Sequence, residues 1–131
     1  MTTLIAAATC ACTRDSPSHH DEEIPIACVL GALDATQRDR EAVLLDEHLT
    51  SIREVKELDD GYAFRYAADV ALFGRMAELV ALEHRCCPFL DFELQWSRAA
   101  DPWLQVRGGS RVKSFVLDTF APKSGGAKPA G

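Results

Sequence analysis

The chain has no long apolar run, no excess of basic charge and no even complement of cysteines, and each lack removes a class of function. Its longest apolar tract leads up to Cys86 and is broken by Arg75, Glu78 and Glu83. A membrane-spanning helix needs about 20 consecutive, mostly apolar residues. The 14 Lys and Arg stand against 20 Asp and Glu, a net charge of −6. Nucleic acids and anionic membrane surfaces require the opposite sign, so neither is an expected partner. The 5 cysteines cannot all pair within one chain, and their spacing outlines no disulfide framework. Met1 to Ala11 lacks the basic start and long apolar core of a secretory signal. These features lead to the expectation of a cytoplasmic protein, where thiols stay reduced and metal or redox chemistry outranks structural bridging.

What is present reads as one soluble domain with loose ends: 131 residues, 47% hydrophobic and 26% charged. Residues 1–23 form a polar leader that carries Cys10, Cys12, His19 and His20. The domain is expected over residues 24–121, and residues 122–131 are a Pro-, Lys- and Gly-containing tail.

Ile24 to Leu30 predicts a first strand, with Ile26, Cys28 and Leu30 on one face. Asp34 and Gln37 have the spacing of a capping box for a helix through about Leu49. Its inner face is expected at Leu45 and Leu49, with Val43 and Leu44 beside them. Ser51 to Leu58 is charged, as an edge strand tends to be. Asp59-Asp60-Gly61 signals a hairpin into the alternating Tyr62, Phe64 and Tyr66. Asp69 caps a second helix from Val70 to Cys86. Phe73, Met76, Val80, His84 and Cys87 form its apolar stripe, with Leu72, Leu79, Leu82 and Cys86 next to it. Pro88 ends that helix.

Leu90, Phe92, Leu94 and Trp96 then alternate with polar residues as a strand, and Trp103 to Arg107 pairs back. A last helix turns Val112, Phe115, Val116 and Phe120 inward. The order β-α-β-β-α-β-β-α predicts an α+β fold: a mostly antiparallel sheet with helices packed on one face. No clear repeat is present, although the two αββ halves resemble one another loosely.

The chemistry concentrates at the vicinal pair Cys86-Cys87. Adjacent cysteines are poorly placed to bridge each other and better placed to share one soft ion. Thiolates favour Zn or Cu(I), and by the same logic Hg(II), Cd(II) or As(III). Cys28 is the first choice for a third ligand. His84 shares the helical side of Cys87, and the Cys10/Cys12 pair could close over the site. A helix C-terminus disfavours a bare thiolate, so binding is expected before catalysis. The bland alternatives are two small residues finishing a buried helix, a core Cys28, a surface His84 and an exposed Glu83, which could otherwise serve as a second acceptor behind the thiols. Two further functions stay open: a thiol-dependent redox enzyme or lyase, and a dimerising interaction module with structural cysteines.

Glu83-x-x-Cys86-Cys87-Pro88-Phe89-x-x-Phe92, together with Ile26-Ala27-Cys28, resembles a family of small bacterial proteins and appended domains that carry this signature. Similar segments follow MerR-type regulator domains. The resemblance covers roughly Pro25 to Phe120, the span of an ordinary single domain. It implies a sensor or binding accessory for thiophilic metals, of use in metal resistance, with Cys86, Cys87 and Cys28 as ligands. The chain lacks a helix-turn-helix region, so DNA binding does not carry over, and Cys10 and Cys12 fall outside the resemblance.

Overall fold

The computed structural model describes residues 29–123. Its regular elements are α1 (Ala35–Ser51), β1 (Glu54–Leu58), β2 (Gly61–Arg65), α2 (Val70–Cys86), β3 (Asp91–Gln95), β4 (Trp103–Arg107) and α3 (Lys113–Phe120). Short 3-10 turns stand at Leu30–Ala32 and Ser110–Val112. The fold class is the expected α+β, with one antiparallel sheet in the order β1-β2-β4-β3. Each αββ half supplies one hairpin, and β2 joins β4 at the centre with Phe64 opposite Leu104.

Local chemistry explains the element ends. Asp34 Oδ1 accepts the Gln37 amide at 2.8 Å, and Gln37 Oε1 accepts the Asp34 amide at 3.0 Å, so the capping box forms in full. The Asp59-Asp60 turn joins Leu58 to Gly61. No described residue has a positive φ, so Gly61 is not there for a left-handed conformation. It is there because β4 comes close: a Cβ at this position would lie 2.0 Å from the Val106 carbonyl oxygen.

The expected first strand needs a correction. Residues 24–28 of it lie outside the described residues, and its last residue belongs to a turn. Val29 is extended, but its N–H donates to the Cys86 carbonyl at 2.7 Å, at the end of α2, and not to a neighbouring strand. The Ala32 amide then closes back on Val29 O at 3.0 Å, which makes the 3-10 turn.

The core lies between the helices and one face of the sheet. Leu44, Phe64, Met76, Leu79, Leu104, Val106, Val116 and Phe120 are fully or almost fully buried there. Each such side chain contributes about 1.5–3 kcal/mol on burial. The opposite face is polar: Lys56 sits over the Trp103 ring at 4.9 Å, and Arg65 bonds Glu54 and Asp101. Two bidentate pairs tie α1 to α2. Arg75 holds Glu47 at 2.7 and 2.7 Å, and Arg40 holds Glu78 at 2.9 and 2.7 Å. Exposed or half-exposed, each is worth a few tenths to about 1 kcal/mol.

The inner face of α1 differs from expectation. Leu44 and His48 are buried, whereas Val43 is 59% exposed. The imidazole makes this phase the favourable one. His48 Nε2 lies 2.7 Å from the Phe120 carbonyl and Nδ1 2.6 Å from the Tyr66 hydroxyl. A carbonyl only accepts, so Nε2 carries the hydrogen and Tyr66 donates to Nδ1. Burial lowers the His48 pKa from 6.5 to about 4 and raises that of Tyr66 above its usual value.

The unfolded chain takes up a proton near pH 6.5 while the folded chain refuses it until about 4. The stability His48 contributes is therefore present above pH 6.5 and lost as pH falls toward 4, on the order of 3 kcal/mol at about 1.4 kcal/mol per unit. Urea denaturation at pH 7 and pH 4.5 should show this acid-sensitive loss shrinking in His48→Phe. An unchanged pH dependence in the variant would contradict the assignment.

Candidate metal centre

Helix α2 positions the site and Pro88 delimits it. Asp69 Oδ1 caps the start by accepting the Leu72 amide at 3.1 Å. At the other end the residue before a proline is pushed out of the helical region. Cys87 accordingly has φ −126° and ψ 72°. Its amide still donates to Glu83 O at 2.7 Å, so the last turn closes before the chain leaves. Arg85 reaches the Ala32 carbonyl at 2.9 Å and fastens the 3-10 turn beside the helix end.

The buried face of α2 runs Leu72, Met76, Leu79, Glu83 and Cys86, with Leu82 alongside. These steps of four and three residues place Glu83, Cys86 and Cys87 together. Glu83 is 2% exposed, Cys86 8% and Cys87 0%. Glu83 Oε1 lies 3.6 Å from the Cys86 sulfur and 3.5 Å from the Cys87 sulfur. The two sulfurs are 4.0 Å apart, about twice the S–S bond length, so they are not bridged to one another. Oε2 of Glu83 is buried and receives no N–H, hydroxyl or thiol donor among the described residues, while the Glu83 carboxyl as a whole shares a hydrogen bond with the Glu41 carboxyl.

Burial dominates the electrostatics. It pushes the Glu83 carboxyl up to about 8, and a hydrogen bond shared with the Glu41 carboxyl on α1, together with the repulsion between the two, adds to the rise. The two thiols work the other way, since each donates toward Oε1. The donor atoms of Glu83, Cys86 and Cys87 all lie within 4.8 Å of one another, a cluster that could hold a metal ion. A cation would compensate the buried carboxylate and deprotonate the thiols.

Of the residues singled out in the sequence, the structure brings Cys86 and Cys87 together with their sulfurs at the buried end of α2. His84 is exposed and outside the cluster. Cys28, Cys10 and Cys12 lie outside the described residues. Glu83 is the residue that sequence reasoning undervalued: it is buried, not exposed. Its signal was positional, since it continues the 72-76-79 stripe into Cys86.

Fold and site together define an α+β domain with a buried carboxylate–dithiol cluster at a helix end. The chain matches no family model, no curated protein and no solved structure.

A buried carboxyl set against a second carboxyl is a stability cost. Replacing such a group by an apolar side chain of similar volume is often neutral or stabilising. Glu83→Met should therefore raise the unfolding free energy by about 1–3 kcal/mol in metal-free buffer, measured by urea denaturation. A loss of that size would show the carboxyl to be a structural necessity.

Proposed function

We propose that this protein binds a thiophilic metal or metalloid ion through Cys86 and Cys87, as a cytoplasmic sensing or sequestering protein in metal stress. One observation carries the reading. Two thiols and a carboxyl converge at a buried helix end, close enough together to share one ion. Burial favours the neutral carboxyl, and a bound cation would reverse that preference and ionise the carboxyl and the thiols together. The resemblance to signature-bearing proteins associated with MerR-type regulators supports the same class of ion and the sensing role.

Cys28 supplies a further thiolate in this proposal. The resemblance at Ile26-Ala27-Cys28 is what implies this ligand. The ion would hold the thiols as thiolates, the form that ligates.

The surroundings favour binding over thiol catalysis. Both cysteines are buried, and a helix C-terminus raises the energy of a bare thiolate. An activated nucleophile needs the reverse: exposure and a positive neighbourhood. The open sheet face is polar and charged, which does not favour the dimerising module with structural cysteines.

Titration of the full chain with Cd(II) should produce the ultraviolet thiolate charge-transfer band at one equivalent. Cys86→Ser and Cys87→Ser should each lose most of it, and Cys28→Ser should weaken binding about tenfold or more while leaving the fold intact. Absence of the band in the wild-type protein would refute the reading.

A further inference from the structure

The spacing of the three donors carries information about the ion itself. With metal–sulfur bonds of about 2.3 Å and metal–oxygen bonds of about 2.1 Å, a tetrahedral ion holds two sulfurs roughly 3.8 Å apart. The same bonds hold a sulfur and an oxygen roughly 3.6 Å apart. The observed edges are 4.0 Å between the sulfurs and 3.5 and 3.6 Å from the sulfurs to Glu83 Oε1. Three vertices of a tetrahedron of that size are thus already in place. A linear two-coordinate ion with the same bonds would need the sulfurs roughly 4.6 Å apart.

Nor are the sulfurs loosely held. Cys87 is fully buried and Cys86 nearly so, and both follow from one helix end fixed by Pro88. Close-packed interiors resist the rotamer changes that would spread them. The oxygen is a selective element as well. Carboxylate ligands suit Zn(II)-like divalent ions and contribute little to Cu(I) or Hg(II), which prefer sulfur.

Resting on the reading that Cys86 and Cys87 ligate a thiophilic ion, we infer that Glu83 is a direct ligand and that the site is built for a four-coordinate divalent ion, Zn(II) or its larger congener Cd(II). Glu83 then raises affinity for these ions specifically. The neighbouring thiols would hold Hg(II) or Cu(I) equally well without it.

The test compares wild-type and Glu83→Gln full-length protein, each shown to be folded by circular dichroism. Zn(II) affinity, measured by competition with a chromophoric chelator, should fall at least tenfold in the variant. Hg(II) affinity, measured by competition with a small dithiol, should change less than twofold. X-ray absorption on Zn(II)-loaded wild-type protein should show an oxygen at about 2.0–2.2 Å beside the sulfur shell at about 2.3 Å, with the oxygen contribution reduced in the variant. Equal Zn(II) affinities, or an all-sulfur shell in the wild type, would overturn the inference and leave thiolate binding standing. If neither Zn(II), Cd(II) nor Hg(II) binds, thiolate binding itself falls, and this inference with it. The spectrum of the wild-type protein decides even if the variant does not fold.

Discussion

Pro88 denies Cys87 the helical conformation, and the site depends on that restriction. A helix continuing past Cys86 would carry the Cys87 sulfur on around the axis. Ending there, with the Cys87 amide still bonded to Glu83 O, the chain turns both sulfurs toward one carboxylate oxygen. The Leu90 amide bonds back to the Cys87 carbonyl at 3.1 Å, and β3 begins at Asp91. One proline thus sets where the helix stops, where the strand starts and how the donors converge. The apolar stripe of α2 supplies the other half of the constraint, by pressing the same face into the core.

The two halves of the domain treat one problem in two ways. Asp34 and Asp69 open helices of equal length, 17 residues each. His48 and Glu83, the buried polar or charged side chains of the described residues apart from the Tyr66 hydroxyl, hold corresponding places one turn before each helix ends. The first is satisfied on both sides, by Tyr66 and by Phe120 O, and its neutral form ties α1 to the β2 end and to α3. The second faces two thiols through Oε1 and the Glu41 carboxyl of α1, and no basic group among the described residues is paired with it. One buried group closes the core. Its counterpart belongs to a cluster that could hold a cation.

Much of the scaffold was legible in the sequence because its signals are local. The caps at Asp34 and Asp69, the Asp59-Asp60 turn, the stop at Pro88 and the alternation through β3 each depend on neighbours within a few residues. The rotational phase of the helices was not legible in this way. On α2, the stripe through Phe73, Val80 and His84 looks as apolar as the one through Leu72, Leu79 and Glu83. Packing against the sheet decides between them, and it buries the second. That choice hid Glu83, since a lone glutamate in a helix ordinarily reads as solvated. His48 went unnoticed for a similar reason: its partners Tyr66 and Phe120 are remote in sequence and near only in the fold. The vicinal thiols were legible as chemistry, but the carboxylate between them needed three dimensions.

Metal content and thiol count on freshly purified, full-length protein kept under reducing conditions test the central claim most directly. One equivalent of a divalent thiophilic ion is expected. Chelation should release it, and Cys86 and Cys87 should become alkylatable only afterwards. A protein that is metal-free as purified, takes up no Zn(II) or Cd(II), and keeps the same thiol reactivity with and without those ions would contradict it. The vicinal cysteines would then be core residues and nothing more.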